Sequence, residues 1–335
     1  MRSAPIALLL AAGCVAVVQV AAQGTTTPGA LKKTPAPGRS LQQESEPGAF
    51  QISVDVALVV LEAAIRDHDG HAVPQLKRED FAVFEDGRPQ EIRLFRHEDT
   101  PVTVGLVIDH SGSMKEKLNE VTAGARAFVR SSNSRDQMFV VNFNEKVSQG
   151  LPPGVRFSDS VDQLADAVSV RPAVGMTALY DAIIDGLIRL RDGAREKKVL
   201  IVISDGGDNA SKAPLDRVLK MAEQSNAAIY TIGIFEADDP DGKPGVLRRL
   251  AHETGGQAFF PSQLTETVEI CERIAKDIRD QYTIGYSSSN EKRDGTYHKV
   301  RLTARSKTDG KLTVRTRAGY SAADPSPAIS GLVAK

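Results

Sequence analysis

Two segments of the chain place carboxylates beside hydroxyls at short spacing. The first reads Asp109-His-Ser-Gly-Ser113, and the second begins with Ser204-Asp205. A third segment ends in Thr177, directly before an amphipathic stretch that starts at Ala178. Carboxylate and hydroxyl oxygens suit hard cations such as Mg²⁺, Mn²⁺ and Ca²⁺, whereas soft metals favour clustered Cys or His. These residue types therefore indicate a hard divalent cation if the fold brings the three segments together.

The chain around these segments alternates between strand and helix patterns. Continuous apolar runs at 102–108, 138–141, 199–203 and 229–235 predict strands that are buried on both faces. Amphipathic stretches between the runs predict helices. Repeated strand–helix units predict a doubly wound, Rossmann-like and mostly parallel sheet, and such sheets bind ligands beyond the carboxyl ends of their strands. The loops after residues 108 and 203 lie at that edge.

Each of these motifs taken alone has an ordinary structural explanation. Ser113 and Thr177 both precede predicted helices, where Ser and Thr are common capping residues. Three oxygen-rich segments in order, each at a predicted strand end or helix start, are much harder to explain by capping. A metal site is therefore the stronger interpretation.

The three segments resemble the metal-ion-dependent adhesion site (MIDAS) of von Willebrand factor A domains and integrin inserted domains, in order, spacing and context. The resemblance implies that Ser111, Ser113 and Thr177 coordinate one cation directly in the ligand-bound form, and that Asp109 and Asp205 act directly or through water. We expect Mg²⁺, with Mn²⁺ or Ca²⁺ as alternatives. The resemblance extends from about residue 102 to 280. The flanking parts resemble a group of bacterial exported proteins that carry this domain.

Regions with strand patterns flank the α/β segment on both sides. Asp86-Gly87 separates the apolar runs 81–84 and 92–95 and predicts that these two form a hairpin. Three more strands are predicted after residue 280. We expect the flanking regions, 50–100 and 281–320, to pair into one small β-sandwich-like domain, with the von Willebrand factor A domain inserted at 101–280.

The first residues determine the predicted compartment. A short basic start, an apolar stretch at 4–18 and the small residues Val20-Ala-Ala22 predict a signal peptide at 1–22. A membrane anchor or a lipoprotein signal at Cys14 are the alternatives. We expect export to the periplasm, cell surface or medium, with no stable membrane span after cleavage, a disordered linker at 23–49 and a disordered tail at 321–335. Cys271, the other cysteine, is expected to be a small core residue.

Several other polar residues are given structural interpretations. His110 occupies a variable position of the first motif and is expected to face solvent. Asp208 and Asn209 are expected to cap the helix at 215–222, although Asp208 could also bind a metal-bound water. Arg301, Arg305, Arg315 and Arg317 alternate with apolar residues, as in a half-exposed strand.

Composition and motifs together favour a non-enzymatic binding protein. The 42 basic and 43 acidic residues balance to a net charge of −1, which gives no reason to expect nucleic acid as a partner. We expect a protein partner whose Asp or Glu carboxylate completes the coordination of the metal. One alternative is a scaffold that binds through its β domain while the metal rigidifies the loops. The other is a metal-dependent hydrolase, which lacks a convincing general base here.

Overall fold

Antiparallel strands precede the α/β part of the chain. The computed structural model describes residues 58–205, 207–235, 243–290, 294–306 and 310–322. The predicted signal peptide and linker, the remaining residues up to 57 and the tail beyond residue 322 lie outside the described residues. The first strands are β1 (Leu58–Arg66), β2 (Phe81–Glu85), β3 (Arg88–Gln90) and β4 (Ile92–Arg96).

The middle of the chain forms the predicted alternation of strands and helices. Its elements are β5 (Val102–Asp109), α1 (Leu118–Ser131), β6 (Gln137–Phe143), β7 (Val147–Gln149), α2 (Val161–Ser169), α3 (Leu179–Leu190), β8 (Lys197–Ser204), α4 (Leu215–Gln224), β9 (Ala228–Gly233), α5 (Pro244–Thr254), β10 (Ala258–Phe259) and α6 (Glu266–Arg279). The strands join in the order β10-β9-β8-β5-β6-β7, and only the edge strand β7 pairs in an antiparallel manner. The predicted doubly wound, mostly parallel sheet is confirmed.

The central sheet is covered by helices on both faces. Helix α1 packs against α2 and α6, whereas α4 packs against α3 and α5. Every residue of β5 is buried, because this strand lies in the middle of the sheet. The apolar faces predicted for α1 and α3 are the faces that pack inward. Cys271 of α6 is also buried in this core, as expected. Among the described residues, no helix combines the length and the apolar character needed to cross a membrane.

The strands after α6 pair with those at the start of the described chain. They are β11 (Tyr282–Ser287), β12 (Tyr297–Ala304), β13 (Thr313–Arg315) and β14 (Gly319–Ser321). Two four-stranded sheets result, in the orders β13-β1-β11-β4 and β14-β12-β2-β3. Leu61 and Ile284 of the first sheet share one core with Val83 and Leu302 of the second. This confirms that the flanking strands form a sandwich-like unit into which the α/β segment is inserted.

The predicted hairpin between the runs 81–84 and 92–95 is wrong. Asp86 and Gly87 do form a turn, with φ of 48° and 81°, but it connects β2 to the short strand β3. Left-handed φ at both central residues is typical of a two-residue hairpin turn. Strand β4 then crosses to the other sheet, where it pairs with β11. A strand of only three residues was too short to be recognised in the sequence pattern.

A buried ionic cluster joins the antiparallel sheet of β1 and β13 to the α/β segment. Asp277 of α6 accepts hydrogen bonds from Arg66 of β1 and from Arg315 of β13. The hydroxyl of Tyr230 in β9 donates to the same carboxylate at 2.6 Å. Arg317 is only 9% exposed and donates to the backbone at the end of α4. The interpretation of Arg317 as a half-exposed strand residue is therefore wrong, because it is buried against the end of α4. Arg315 does lie in a strand, with its side chain 21% exposed, but its guanidinium group bonds to Asp277 of α6. Arg301 and Arg305 are exposed, as expected.

Candidate metal centre

The two carboxylates of the predicted site lie at the carboxyl edge of the central sheet. Ile108 of β5 and Ile203 of β8 are direct neighbours across the parallel ladder. Asp109 and Asp205 follow at the ends of these strands and are 0% and 1% exposed. Parallel strands end at the same edge, so adjacent strands deliver these two side chains to one place.

The first loop turns its hydroxyls toward the second carboxylate. The Ser113 hydroxyl donates to Asp205 Oδ1 at 2.9 Å, and the Ser111 and Ser113 hydroxyls lie 3.2 Å apart. A short 3₁₀ turn at Gly112–Met114 produces this arrangement. Oxygen atoms bound to Mg²⁺ at right angles are separated by roughly 3.0 Å, given metal–oxygen distances of about 2.1 Å. The observed spacing of these three oxygen atoms therefore fits adjacent corners of such a coordination sphere.

Hydrogen bonds hold Asp109 in one orientation. Its Oδ1 accepts from the backbone N–H of Ser111 at 2.8 Å, and its Oδ2 accepts from the Ser204 hydroxyl at 2.5 Å. Burial raises the pKa of Asp109 to about 6, although these hydrogen bonds favour the ionised form and oppose the rise. The nearby charge of Asp205 adds to the rise. A cation between the two carboxylates would relieve this repulsion.

The loop that carries Thr177 is hydrogen-bonded to the loop after β5 and to the loop after β8. The Gly112 N–H donates to Gly175 O at 3.0 Å, and the Thr177 N–H donates to Asn209 Oδ1 at 2.8 Å. Gly175 has a φ of 86°, and a Cβ there would lie 1.8 Å from a carboxylate oxygen of Glu145. Only glycine fits this backbone without strain. Thr177 itself is 5% exposed at this junction.

Comparison with known protein families agrees with this architecture. The model of the von Willebrand factor type A domain matches residues 103–273, just over half of the 335-residue chain. The chain belongs to the von Willebrand factor type A (VWA) domain family. Every predicted metal ligand, from Asp109 to Asp205, lies within the match.

Several solved structures are similar to this VWA protein. A von Willebrand factor type A protein from Catenulispora acidiphila is 16% identical, with a TM-score of 0.48, and the match covers 72% of this chain and 73% of that one. The VWA domain of a type V pilus tip protein from Porphyromonas gingivalis is 13% identical, with a TM-score of 0.46 and coverages of 54% and 95%. Proximal thread matrix protein 1 of the mussel byssus, solved with a zinc-occupied MIDAS, is 16% identical, with a TM-score of 0.44 and coverages of 55% and 49%. No curated protein matches the chain.

Two interpretations of residues near the site are wrong. His110 is 1% exposed rather than solvent-facing, because its backbone bonds to Phe143 of β6 and its Nδ1 lies 3.0 Å from Arg171 O. Burial lowers the pKa of this imidazole. Asp208 and Asn209 do not cap α4. They accept from backbone N–H groups of Tyr180 and Thr177, and so they hold the start of α3 and the loop before it.

The sequence pattern did not predict the role of several other residues that hold the loops of the VWA site in place. Asp181 in the first turn of α3 accepts from the backbone N–H groups of Lys212 and Ala213, and this fastens the loop after β8. Lys117 reaches Asp205 Oδ2 with its ammonium group at 2.7 Å. Neither contact follows from residue spacing, because each depends on where a helix begins and which way it faces. Ser204 could have been suspected, since it ends β8 directly before Asp205.

In the part of the chain that the structure describes, two further clusters of Asp, Glu and His side chains lie outside the VWA site. They are Asp67 with Asp69 and His71, and Glu85 with Asp86 and His298. Asp67 accepts hydrogen bonds from two backbone amides of its own turn. The Glu85 carboxylate accepts from three hydroxyl groups. Both carboxylates therefore have a structural role, and we assign no ligand to either cluster.

Proposed function

We propose that this protein is an extracytoplasmic, non-enzymatic binding module whose VWA domain binds a protein partner through one divalent cation. Asp109, Ser111, Ser113, Thr177 and Asp205 would hold the cation, with Mg²⁺ as the first candidate. A carboxylate of an Asp or Glu on the partner would complete the coordination sphere. Export is proposed from the apolar segment at 4–18 and the small residues that follow it.

The observation that carries this proposal is the convergence of the oxygen donors at one sheet edge. Two buried carboxylates and two hydroxyls meet there, with the loop of Thr177 fastened beside them. Two carboxylates and neutral hydroxyls leave a bound divalent cation electrophilic, because the remaining positions hold water. A carboxylate from another molecule can replace one of these waters and form a strong electrostatic contact.

Exposed apolar side chains near the site support a protein partner. Val174 and Met176 flank Gly175 and are 53% and 55% exposed, and Val170 at the end of α2 is 59% exposed. The Val174 N–H donates to His110 O at 2.9 Å, so this segment lies directly against the first metal-binding loop. Exposed apolar surface beside a polar centre is typical of protein-binding sites.

The hydrolase alternative finds less support in the same geometry. A hydrolytic mechanism needs a base within hydrogen-bond reach of the nucleophile or of a metal-bound water. The imidazole closest in sequence, that of His110, contacts Arg171 O instead of a serine of the site. Buried and with a lowered pKa, it is better explained as a residue that holds the loop.

The proposal can be tested with peptides displayed from a random library. The purified protein is immobilised in Mg²⁺, bound peptides are eluted with EDTA, and those that also bind Asp109→Ala are removed. We expect the recovered peptides to share an Asp or Glu, and replacement of that residue by Asn or Gln should abolish binding. Asp185→Ala, which removes an acidic side chain on α3, serves as the matched control and should bind like the wild type.

Two results would contradict the proposal. Peptides that bind equally well in EDTA and to Asp109→Ala would favour the scaffold alternative, in which the β strands make the contacts. Metal-dependent peptides without any required carboxylate would contradict the role assigned to the partner.

A further inference from the structure

Lys117 places a fixed positive charge inside the candidate metal centre. Its ammonium group lies 2.7 Å from Asp205 Oδ2, and the two side chains are 9% and 2% exposed. The backbone of Lys117 is held on both sides, since its N–H donates to Met114 O at 2.9 Å and its carbonyl accepts from Val121 N at 3.1 Å. The 3₁₀ turn of the first loop and the start of α1 thus orient the Lys117 side chain toward Asp205.

This contact occupies the carboxylate that the metal needs. Asp205 Oδ1 accepts from the Ser113 hydroxyl, and Oδ2 accepts from the ammonium group. A divalent cation that binds Asp205 must therefore work against a like charge a few ångströms away. Repulsion between like charges is strong where water is largely excluded.

A contribution to fold stability alone does not explain why Lys117 and Asp205 form a buried ion pair. The desolvation of two buried charges often cancels the attraction between them, so buried ion pairs are weak evidence for stability. Asp205 is also one of two buried carboxylates in a confined space, because Asp109 lies at the end of the neighbouring strand. A positive group at this point lowers the net negative charge that attracts a metal.

We propose that Lys117 is a built-in competitor of the divalent cation, which lowers the cation affinity of the free protein and so makes metal loading depend on the partner's carboxylate. This inference rests on the proposed function of the site. When the metal binds Asp205, the ammonium group leaves that carboxylate. The partner's negative charge then favours the metal-loaded arrangement.

Calorimetric titration with MgCl₂ and MnCl₂ tests the competition without any partner. Lys117→Met removes the charge and keeps most of the side-chain volume. It should lower the Kd for the cation at least about tenfold relative to the wild type. Lys115→Met removes the same charge from an exposed position two residues earlier and should change the Kd by less than about twofold, because exposed charges are screened by solvent.

The outcomes separate this inference from the metal site itself. A wild type that binds the cation, with Lys117→Met binding it no more tightly, overturns the competitor role and leaves the metal site intact. An equal gain in Lys115→Met also overturns it, since the effect would then be general charge. Absence of binding in all three proteins overturns both proposals.

A measurement on the wild type covers the case in which Lys117→Met does not fold. Lysine side chains are acetylated with an amine-reactive reagent, with and without saturating Mg²⁺, and the modified sites are quantified by mass spectrometry. We expect Lys117 to react faster in Mg²⁺, because its ammonium group has left Asp205, while Lys115 reacts equally in both. Equal or slower modification of Lys117 in Mg²⁺ overturns the inference.

Discussion

The ionic cluster at Asp277 should contribute strongly to stability, and Asp277→Asn tests this contribution. The carboxylate is 3% exposed and pairs with Arg66 and Arg315, whose side chains are 20% and 21% exposed. The substitution leaves two guanidinium groups facing each other without a negative charge between them. Removing one partner of a buried ion pair costs about 3–5 kcal/mol.

We expect the lower end of that range, about 3 kcal/mol, because both guanidinium groups keep some contact with water. In thermal unfolding this corresponds to a fall in Tm of roughly 6 °C, at about 2 °C per kcal/mol, because the shift decreases with chain length. The assay is urea and thermal unfolding followed by circular dichroism, in EDTA so that no metal contributes.

Asp185→Asn is the matched control for this substitution. Asp185 pairs with Arg189 at 2.5 Å, but both side chains are about one-third exposed. Such a surface pair contributes only about 0.5 kcal/mol. If the free energy of unfolding of Asp277→Asn lies within about 1 kcal/mol of the wild-type value, or falls no further than that of Asp185→Asn, then the cluster does not stabilise the contact between the sheet of β1 and β13 and the VWA domain as we infer.

Three further predictions concern pH, thiol reactivity and the Thr177 loop. Burial alone would raise the pKa of Asp277, but Arg315, Tyr230 and Arg66 outweigh burial and hold the pKa below 3.8. The ionised carboxylate therefore stabilises the fold above pH 3.8, and this stabilisation is lost as the pH falls through the lowered pKa. The urea concentration at the unfolding midpoint of the wild type should therefore decrease as the pH is lowered below about 4. Asp277→Asn should not show this additional decrease, and parallel pH profiles of the two proteins would contradict the prediction. Burial raises the pKa of the Cys271 thiol to about 12, so a thiol reagent should modify it only in urea, and rapid labelling of the native protein would refute this. Asn209→Ala removes the acceptor of the Thr177 N–H, a hydrogen bond of about 1 kcal/mol, and should weaken Mg²⁺ binding about fivefold in calorimetry; an unchanged Kd would show that the loop holds its position without it.

The central sheet could be predicted because each of its long strands is a continuous apolar run that can be recognised without knowledge of its partners. β5 reads as a continuous apolar run, and all of its residues are buried in the structure. A run of this kind has few other interpretations, so the loops after it could also be placed at the ligand-binding edge. The grouping of Asp109, Ser111, Ser113 and Asp205 at one point follows from the same strand order.

What could not be predicted depends on contacts between distant parts of the chain. Arg315 follows the alternation of an exposed strand, yet its partner Asp277 comes from a helix. Lys117 is an unremarkable residue before a helix until the direction of that helix is known. His110 is polar and lies in a loop, but the backbone pairing with β6 turns it inward. Long polar side chains can reach several environments, and local pattern does not distinguish between them.

The most direct test of the metal centre is calorimetric titration of the purified protein with Mg²⁺ and Mn²⁺, beside Asp109→Ala with its fold checked by circular dichroism. Asp109 is buried at the end of β5 and is held by two hydrogen bonds that orient its carboxylate. We predict saturable binding at one site in the wild type and its loss in the folded variant. Binding that is equal in both proteins, or absent from the wild type and from Lys117→Met alike, would contradict the account.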